Sequence, residues 1–389
     1  MNSADYRREG MGMNYELKHF DTTLLKFSAT ENSSNPDIDI LWINEEKKSL
    51  LPLELTLTPD GISSWLKHRT IPKNRAYVDS FLSKCGLSAN RPMSIIRVSK
   101  GLSLNDCYWV TEEGFEGSFD KYNLYDNRFS QILALIAFTG YGSSVRSSLA
   151  SCPEFTTNGM LPKCWRRKKG QIKLFKGGTS GASNTGNEPY SEYYAAQVAN
   201  AIGVNAISYG LSKWKGELCS TCELFTSKAY SFVPIGRISG IRDIESAEKY
   251  YDSLGTEFSE AYADMIVFDA VICNTDRHLG NFGFMVDNTT NRIVAPAPLF
   301  DHGNSLFSLA GLDSFDSETA LNEYADTLLP CLYDDFIGSA KAVLTRKHHE
   351  GLRKLVDFRF DRHSRYNLPT KRLKLIEKQI QHRAKLLLK

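Results

Sequence analysis

The chain has 389 residues, of which 42% are hydrophobic and 24% are charged, and its formal net charge is +2. This composition is typical of a globular protein with two or three folding units. It contains no run of about eighteen apolar residues, which excludes a transmembrane helix and a membrane partner. Because the net charge is so close to zero, we expect direct nucleic-acid binding to be weak or absent.

The N-terminus and the cysteines indicate a cytoplasmic protein. Residues 1–10 lack the apolar segment of a signal peptide, while secretion as an effector stays open. Of the eight cysteines, Cys219 and Cys222 have the spacing of a metal site, but no second pair follows them. We therefore expect reduced thiols and no zinc.

The first part of the chain, to about residue 125, is predicted to be a small α+β domain of unknown role. Short alternating strands are expected, for example over Ile38–Ile43 and Ser94–Val98. One amphipathic helix is predicted between them, from about Asn74 to Cys85. A second helix, with a buried apolar side, is predicted over 126–140.

A strand with two lysines follows. Gln171–Lys176 alternates as a strand and runs directly into two glycines, Gly177 and Gly178. Lys173 and Lys176 are the candidates for binding phosphates, and since they are three residues apart they lie on opposite faces of a regular strand. The glycines either let a backbone pass close to a ligand or form a flexible hairpin.

A helix is predicted next, from Ser191 to Ile202, and Gly203 ends it. Glu192 lies near its beginning. A helical glutamate after a strand lysine can form the ion pair that fixes the lysine over phosphates. The alternative is a solvent-facing acid that the helix dipole favours, and the sequence leaves both interpretations open.

Three polar residues stand out further along the chain: Asp276, Asn281 five residues later, and Asp301. In phosphoryl transfer, one carboxylate orients and deprotonates the attacking hydroxyl, while an Asn and a second carboxylate hold Mg²⁺ on the triphosphate. Mg²⁺ prefers oxygen ligands and is usually held by few protein side chains. The pattern indicates an ATP-dependent kinase, and the alternative is an ordinary polar turn.

The flanking sequence favours the kinase interpretation. A buried helix is predicted over Asp264–Cys273, directly before this segment, and a hairpin is predicted after it, with strands at 282–286 and 292–295. A hairpin brings its two ends together. Asn281 at one end and Asp301 beyond the other can therefore share one ion.

Four motifs, in this order, resemble those of the HipA-like kinases: Lys176–Gly178, Asn187–Glu192, Asn274–Gly283 and Ala297–Ser305. These are bacterial serine/threonine kinases of toxin–antitoxin modules, and a secreted Helicobacter kinase is among their relatives. The resemblance covers roughly residues 140 to 335. It implies that ATP and Mg²⁺ are the cofactors, that the substrate is a protein, and that an antitoxin protein is a candidate partner.

The resemblance also implies roles for individual residues. Asp276 matches the catalytic base, Asn281 and Asp301 match the Mg²⁺ ligands, and Lys176 matches the phosphate lysine. Glu223 and Phe225 belong to a segment similar to the hinge that meets adenine, and His278 is counted with the nucleotide-binding residues.

A serine-rich stretch around Ser148 resembles the loop that covers ATP in this family. Its first serine is an autophosphorylation site in the relatives, and Ser148 is the best match, with Ser147 as the alternative. Ser151 is counted as a nucleotide-binding residue of the same loop. Cys152 and Pro153 replace the small residues expected there, and a plain Ser-rich linker stays an alternative.

We therefore predict an α+β, bilobal protein-kinase-like fold with a β-rich N-lobe and an α-helical C-lobe, preceded by a small α+β domain. The predicted domains are 1–125, 126–228 and 229–389. The predicted function is an ATP- and Mg²⁺-dependent kinase of protein Ser/Thr residues, with regulatory autophosphorylation. A small-molecule or lipid kinase of the same fold stays an alternative, as does a non-catalytic module that binds an antitoxin or DNA.

Two basic segments complete the pattern. Lys163–Lys169 precedes the predicted phosphate strand and is suited to attracting ATP or an acidic substrate. Lys371–Lys389 carries seven Lys and Arg residues against one acid, Glu377, with apolar residues near helical spacing. This pattern is compatible with two interpretations. The basic face of the helix could contact an antitoxin or nucleic acid, or it could simply be solvated.

Overall fold

The computed structural model describes residues 12–31, 33–145, 152–182 and 184–389. They form a mixed helix and strand structure. In chain order the elements are β1 (Met13–His19), β2 (Thr22–Ala29), β3 (Ile38–Ile43), α1 (Pro59–His68), α2 (Val78–Lys84), α3 (Pro92–Ser99), β4 (Tyr108–Glu112), α4 (Phe119–Tyr122), α5 (Gln131–Thr139), β5 (Lys163–Lys168), β6 (Gln171–Gly177), α6 (Glu188–Ile202), β7 (Gly210–Trp214), β8 (Glu217–Glu223), β9 (Tyr230–Pro234), α7 (Ile244–Leu254), α8 (Thr256–Ile272), β10 (Gly283–Asp287), β11 (Arg292–Pro296), α9 (Glu318–Asp326), α10 (Phe336–Val343), α11 (Arg346–Leu355) and α12 (Thr370–Leu388).

The strands form three sheets, with the orders β3-β2-β1-β4, β5-β6-β8-β7 and β11-β10-β9. Strands β1 and β2 are antiparallel, with Met13 opposite Ala29 and a register shift after Leu17. Strands β7 and β8 form a tight antiparallel hairpin. Short connections of this kind let neighbouring segments of the chain pair with each other.

The chain packs as two compact units. The first comprises Met1–Leu174, Leu224–Val233 and Met285–Val294, and the second comprises Phe175–Glu223, Pro234–Phe284 and Ala295–Lys389. The three domains predicted from the sequence have other boundaries and stay a prediction, because these units group the residues by packing alone.

The first unit has an apolar core between a sheet and its helices. Tyr15 and Phe27 of the β1–β2 pair pack with Trp65 of α1 and Met93 of α3, and all four side chains are almost completely buried. Burial of such large side chains is the main stabilising contribution to a unit of this kind. None of the helices in the described part of the chain has the length and apolar content needed to cross a lipid bilayer.

Two local predictions in the first unit were wrong. The strand expected at Ser94–Val98 is part of helix α3. Its β-branched residues favour a strand, but Pro92 suits the first turn of a helix. In the helix, Met93 and Ile96 pack into the core around Tyr15 and Phe27, while Ile95 packs into a second apolar cluster. The helix expected from Asn74 begins only at Val78, because Tyr77 takes a left-handed backbone conformation with φ of 62°.

The second unit contains the segments that carry Lys176, Glu192, Asp276, Asn281 and Asp301. Helix α8 is buried continuously from Tyr262 to Ile272 and ends where Cys273 adopts a left-handed φ of 50°. The loop with Asp276 and Asn281 starts there and leads to β10. Helix α8 is longer than predicted and begins at Thr256.

Candidate active site

Lys176, on β6, lies buried between two carboxylates. Its Nζ is 2.6 Å from Oε1 of Glu192 on α6 and also forms an ion pair with Asp301. The other oxygen of Glu192 accepts a hydrogen bond from the hydroxyl of Ser220. Burial by itself lowers the pKa of Lys176, but the charges of Asp301 and Glu192 outweigh it and hold the pKa above its ordinary value. Lys176 is therefore a cation at neutral pH.

The structure thus contains the ion pair that was one of two interpretations of Glu192. Glu192 is 1% exposed, which contradicts the alternative of a solvent-facing acid. Lys173, the other candidate lysine, is only partly buried.

Asp276 lies on the loop between α8 and β10. Its Oδ2 accepts a 2.9 Å hydrogen bond from the side-chain amide of Asn304. The amide nitrogen of Asn281 donates to the main-chain carbonyl of Asp276 at 3.1 Å, so the amide oxygen of Asn281 is the atom that can serve as a metal ligand. Asn304 was not among the site residues predicted from the sequence.

Arg277 is a second residue that the sequence did not indicate. It is completely buried, and its guanidinium forms two hydrogen bonds with the carboxylate of Asp269 on α8, at 2.9 and 3.0 Å. The Nη1 of Arg277 also donates to the carbonyls of Asn281, at 3.0 Å, and Phe300, at 2.7 Å. One side chain therefore joins helix α8, the loop with Asp276 and Asn281, and the residue before Asp301.

Asp301 has a left-handed backbone, with φ of 58°. This conformation is uncommon for residues other than glycine and is often found at functional sites. Its main-chain N–H donates to the hydroxyl of Tyr209 at 3.1 Å. The next residue, His302, is fully buried and packs edge-on against Phe268. Burial and the neighbouring Arg277 hold the pKa of His302 well below its ordinary value, so the ring is neutral.

The glycines after Lys176 lie against the beginning of α6. The main-chain N–H of Thr179 donates to both oxygens of Glu188, at 3.2 Å each. A Cβ on Gly178 would lie 2.7 Å from Oε2 of Glu188 and 2.8 Å from Cα of Gly186. A side chain at position 178 therefore does not fit, and Gly178 allows the close approach that holds this turn.

The remaining predicted nucleotide-binding residues lie in different surroundings. Glu223 is the exposed last residue of β8. Phe225 packs edge-on against Phe232, with ring centroids 5.5 Å apart. His278 is exposed, and its Nδ1 accepts a hydrogen bond from the N–H of Gly280 within its own loop. Three predicted serines fall outside the described residues: Ser147, Ser148 and Ser151.

The basic segment Lys163–Lys169 is partly structural. Lys163 is buried and donates to the carbonyl of Asn158 at 2.9 Å. Arg167 donates to the carbonyls of Asn127 and Leu124, both at 2.9 Å. These two cations tie the segment to neighbouring loops. The carbonyl groups are neutral, so the positive charge of the segment is kept, and its role in attracting ATP or an acidic substrate stays a prediction.

Asn281 and Asp301 are the residues that could hold a Mg²⁺ ion bound to a nucleotide. The described residues contain no group of three or more His, Cys, Asp or Glu side chains arranged to hold a metal. Asn281 and Asp301 offer an amide and a carboxylate oxygen, and Mg²⁺ bound to a nucleotide takes its other ligands from phosphates and water. A Cβ on Gly303 would lie 3.5 Å from Nζ of Lys176 and 3.3 Å from Cβ of Glu188. Glycine there keeps space open beside the lysine.

The chain is similar in sequence to a curated kinase and in fold to several solved structures. The chain is 26% identical over 138 residues to the serine/threonine-protein kinase CtkA of Helicobacter pylori, and the match covers 32% of this chain and 42% of that protein. No protein-family model matches the chain.

Two solved structures are similar. The crystal structure of the Helicobacter pylori proinflammatory kinase CtkA gives a TM-score of 0.47 at 17% identity, over 58% of this chain and 92% of that one. HipA of Shewanella oneidensis, in a complex with HipB and operator DNA, gives a TM-score of 0.54 at 12% identity, over 95% of this chain and 96% of that one. The sequence match to CtkA and the fold shared with HipA confirm the predicted resemblance to the HipA-like kinases, and the chain has a protein-kinase-like α+β fold.

Proposed function

We propose that this chain is an ATP- and Mg²⁺-dependent kinase of protein serine or threonine residues. The observation that supports this most is the position of Lys176 between the carboxylates of Glu192 and Asp301. One ammonium between two ionised carboxylates leaves the cluster with a net charge of −1, which a bound Mg²⁺ would offset. The sequence similarity to CtkA, a serine/threonine-protein kinase, supports the substrate class.

Each residue has a role in this proposal. Lys176 binds the phosphates, and Glu192 holds its amine in place. Asp276 accepts the proton of the attacking hydroxyl through the oxygen that Asn304 does not occupy. Asn281 and Asp301 would hold Mg²⁺, which neutralises the charge that develops on the phosphate oxygens.

Substitution of Asp276 by Asn tests the proposal. The amide keeps the shape of the side chain and loses its basicity, so transfer of labelled phosphate from ATP should fall by about 10²- to 10⁴-fold. Nucleotide binding and the thermal unfolding temperature should stay close to those of the wild type, because Asp276 is only partly buried. An Asp276→Asn variant that transfers phosphate at the wild-type rate would show that Asp276 is not the base.

Autophosphorylation at Ser148 is part of the proposal. It rests on the resemblance alone, since the residue lies outside the described part of the chain. A phosphate there adds nearly two negative charges to a loop expected to cover ATP. Ser148→Asp should then weaken ATP affinity and Ser148→Ala should not. Mass spectrometry after incubation with Mg²⁺-ATP should find phosphate at Ser148 or Ser147, and phosphate found only elsewhere would contradict this.

An antitoxin partner is proposed by analogy with HipA of Shewanella oneidensis, which was crystallised with HipB. Co-expression with the protein encoded beside this one should give a complex that survives size-exclusion chromatography. Separate elution of the two proteins would refute that pairing.

A further inference from the structure

The outward face of α12 is a continuous row of basic side chains. The exposed residues from position 371 onward are Lys371, Lys374, Lys378, His382, Lys385 and the terminal Lys389. They recur every three or four residues, so they lie along one side of the helix. The opposite side, including Leu373, Ile376 and Ile380, is buried. The row spans about 27 Å at 1.5 Å per residue.

The net charge of the whole chain does not show that its positive charge is concentrated near this row. Residues 341–389 hold 15 of the 47 Lys and Arg residues but only 4 of the 45 Asp and Glu residues. This segment therefore has a formal charge of +11, and residues 1–340 have −9, which together give the net value of +2. The expectation of little nucleic-acid binding used only that net value.

We propose that the basic row on α12 binds the phosphate backbone of a nucleic-acid duplex without reading its sequence. Lysines are compact point charges that neutralise phosphates without a fixed geometry, whereas the planar fork of Arg and the amides of Asn and Gln make more directional contacts with bases. A duplex of about eight base pairs has the length of the row, at 3.4 Å per pair.

The composition of the row favours a duplex over other anionic partners. A protein interface normally has an apolar or aromatic centre and few lysines, and none of the large exposed apolar side chains of the described residues is on α12. The same observation argues against a membrane, since the apolar side of the helix is buried within the protein. Single strands are usually bound by stacking on aromatic side chains, and α12 has no Phe, Tyr or Trp.

Two of the lysines are partly neutralised within the chain. Nζ of Lys378 is 2.6 Å from Glu318, and Nζ of Lys371 is 3.8 Å from Asp316. The test therefore uses Lys374, Lys385 and Lys389, replaced together by Gln. The matched control replaces three exposed lysines elsewhere, Lys47, Lys121 and Lys215, by Gln.

Binding is measured by fluorescence anisotropy on the full chain, without ATP, with a duplex DNA and a duplex RNA of the same arbitrary sequence over a series of salt concentrations. The Asp276→Asn background removes any contribution from phosphoryl transfer, so the result is independent of the proposed kinase activity. We expect affinity to fall with salt, and the salt slope to decrease by about one for each lysine replaced in the row. The control should keep the wild-type slope. Tighter binding of one duplex shows whether DNA or RNA is the preferred partner.

Several results would overturn the proposal. The first is that neither duplex binds at low salt. The second is that the control variant loses as much affinity as the row variant. The third is that the row variant binds with the affinity and salt slope of the wild type. Equal or tighter binding to polyglutamate would indicate an acidic protein partner instead. Binding only to anionic lipid vesicles would indicate a membrane surface.

Discussion

Lys176 is the residue at which the two carboxylates of the site meet. Glu192 is almost fully buried and Asp301 is partly exposed, with side-chain exposures of 1% and 31%. Without a cation between them, a buried negative charge on Glu192 would have no compensation. The lysine thus contributes both to the stability of the unit and to the proposed binding of phosphates.

Replacement of Lys176 by Met should abolish phosphoryl transfer and lower the free energy of unfolding by about 3–5 kcal/mol, the usual cost of breaking a buried ion pair. Lys173→Met, at a partly exposed position, should have small effects on both. Urea denaturation and transfer of labelled phosphate give the two measurements. Activity lost with Lys173→Met and kept with Lys176→Met would reverse the assignment.

A double variant separates the two contributions of Lys176. Adding Glu192→Gln to Lys176→Met removes the uncompensated charge, so stability should recover in part. Activity should not recover, because the phosphates still lack a cation. Recovery of both would indicate that Lys176 has only a structural role.

Candidate site residues could be predicted from the sequence where they lie in a short motif. Asp276, Asn281 and Asp301 were predicted as site residues from spacing and resemblance, and Arg277 joins their segments in the structure. Arg277 and Asn304 were missed because their roles depend on partners up to 28 positions away in the chain. Such contacts leave no periodic or compositional signal in a single sequence.

At the scale of elements, a charged contact joins α11 to α8. Both oxygens of Asp264 accept from Nζ of Lys347, at 2.7 and 3.0 Å, and Nε2 of His348 lies 2.9 Å from Oδ1. Burial by itself raises the pKa of Asp264, but the hydrogen bonds from His348 and Lys347 outweigh it, and the pKa lies below its ordinary value. The ionised form is thus favoured in the folded protein.

This contact predicts a loss of stability in acid. A carboxyl whose pKa is depressed by folding stabilises the fold above its unfolded pKa of about 3.9, and that contribution is lost as the pH falls through the lower folded value. Asp264→Asn should therefore be less stable than the wild type at neutral pH, with a difference that shrinks below about pH 4. Urea denaturation at neutral pH and near pH 3 measures it. An unchanged difference at both pH values would contradict the assignment.

Elements with a strong local signal were predicted well and others were not. Helix α6 ends at Gly203, as expected, and the β10–β11 hairpin follows its predicted strands closely. Helix α3 was predicted as a strand because its β-branched residues favour strands. In the structure, packing against β4 and α1 stabilises a helix instead. Local preference is overridden where tertiary burial has the larger free energy.

At the scale of the whole molecule, the two units interleave along the chain, since each contains three separate segments. The unit with the candidate site is assembled from residues 175–223, 234–284 and 295–389. A change in sequence composition cannot reveal such an arrangement, because four of the five boundaries between the units lie within strands and the fifth directly follows β8. The resemblance predicted the fold class, whereas the packing units depend on long-range pairing.

Ligand binding should stabilise the folded chain if the site binds Mg²⁺-ATP. A ligand at about 100 times its dissociation constant adds about 2.7 kcal/mol to the free energy of unfolding. We expect Mg²⁺-ATP to raise the unfolding temperature of the wild type and of Asp276→Asn by similar amounts. The rise should be much smaller for Asp301→Asn, which loses a charged metal ligand, and for ATP with a chelator. The comparison uses the shift on adding ligand, because Asp301→Asn also changes the ion pair with Lys176. An equal shift for Asp301→Asn and the wild type would show that Asp301 does not bind the metal.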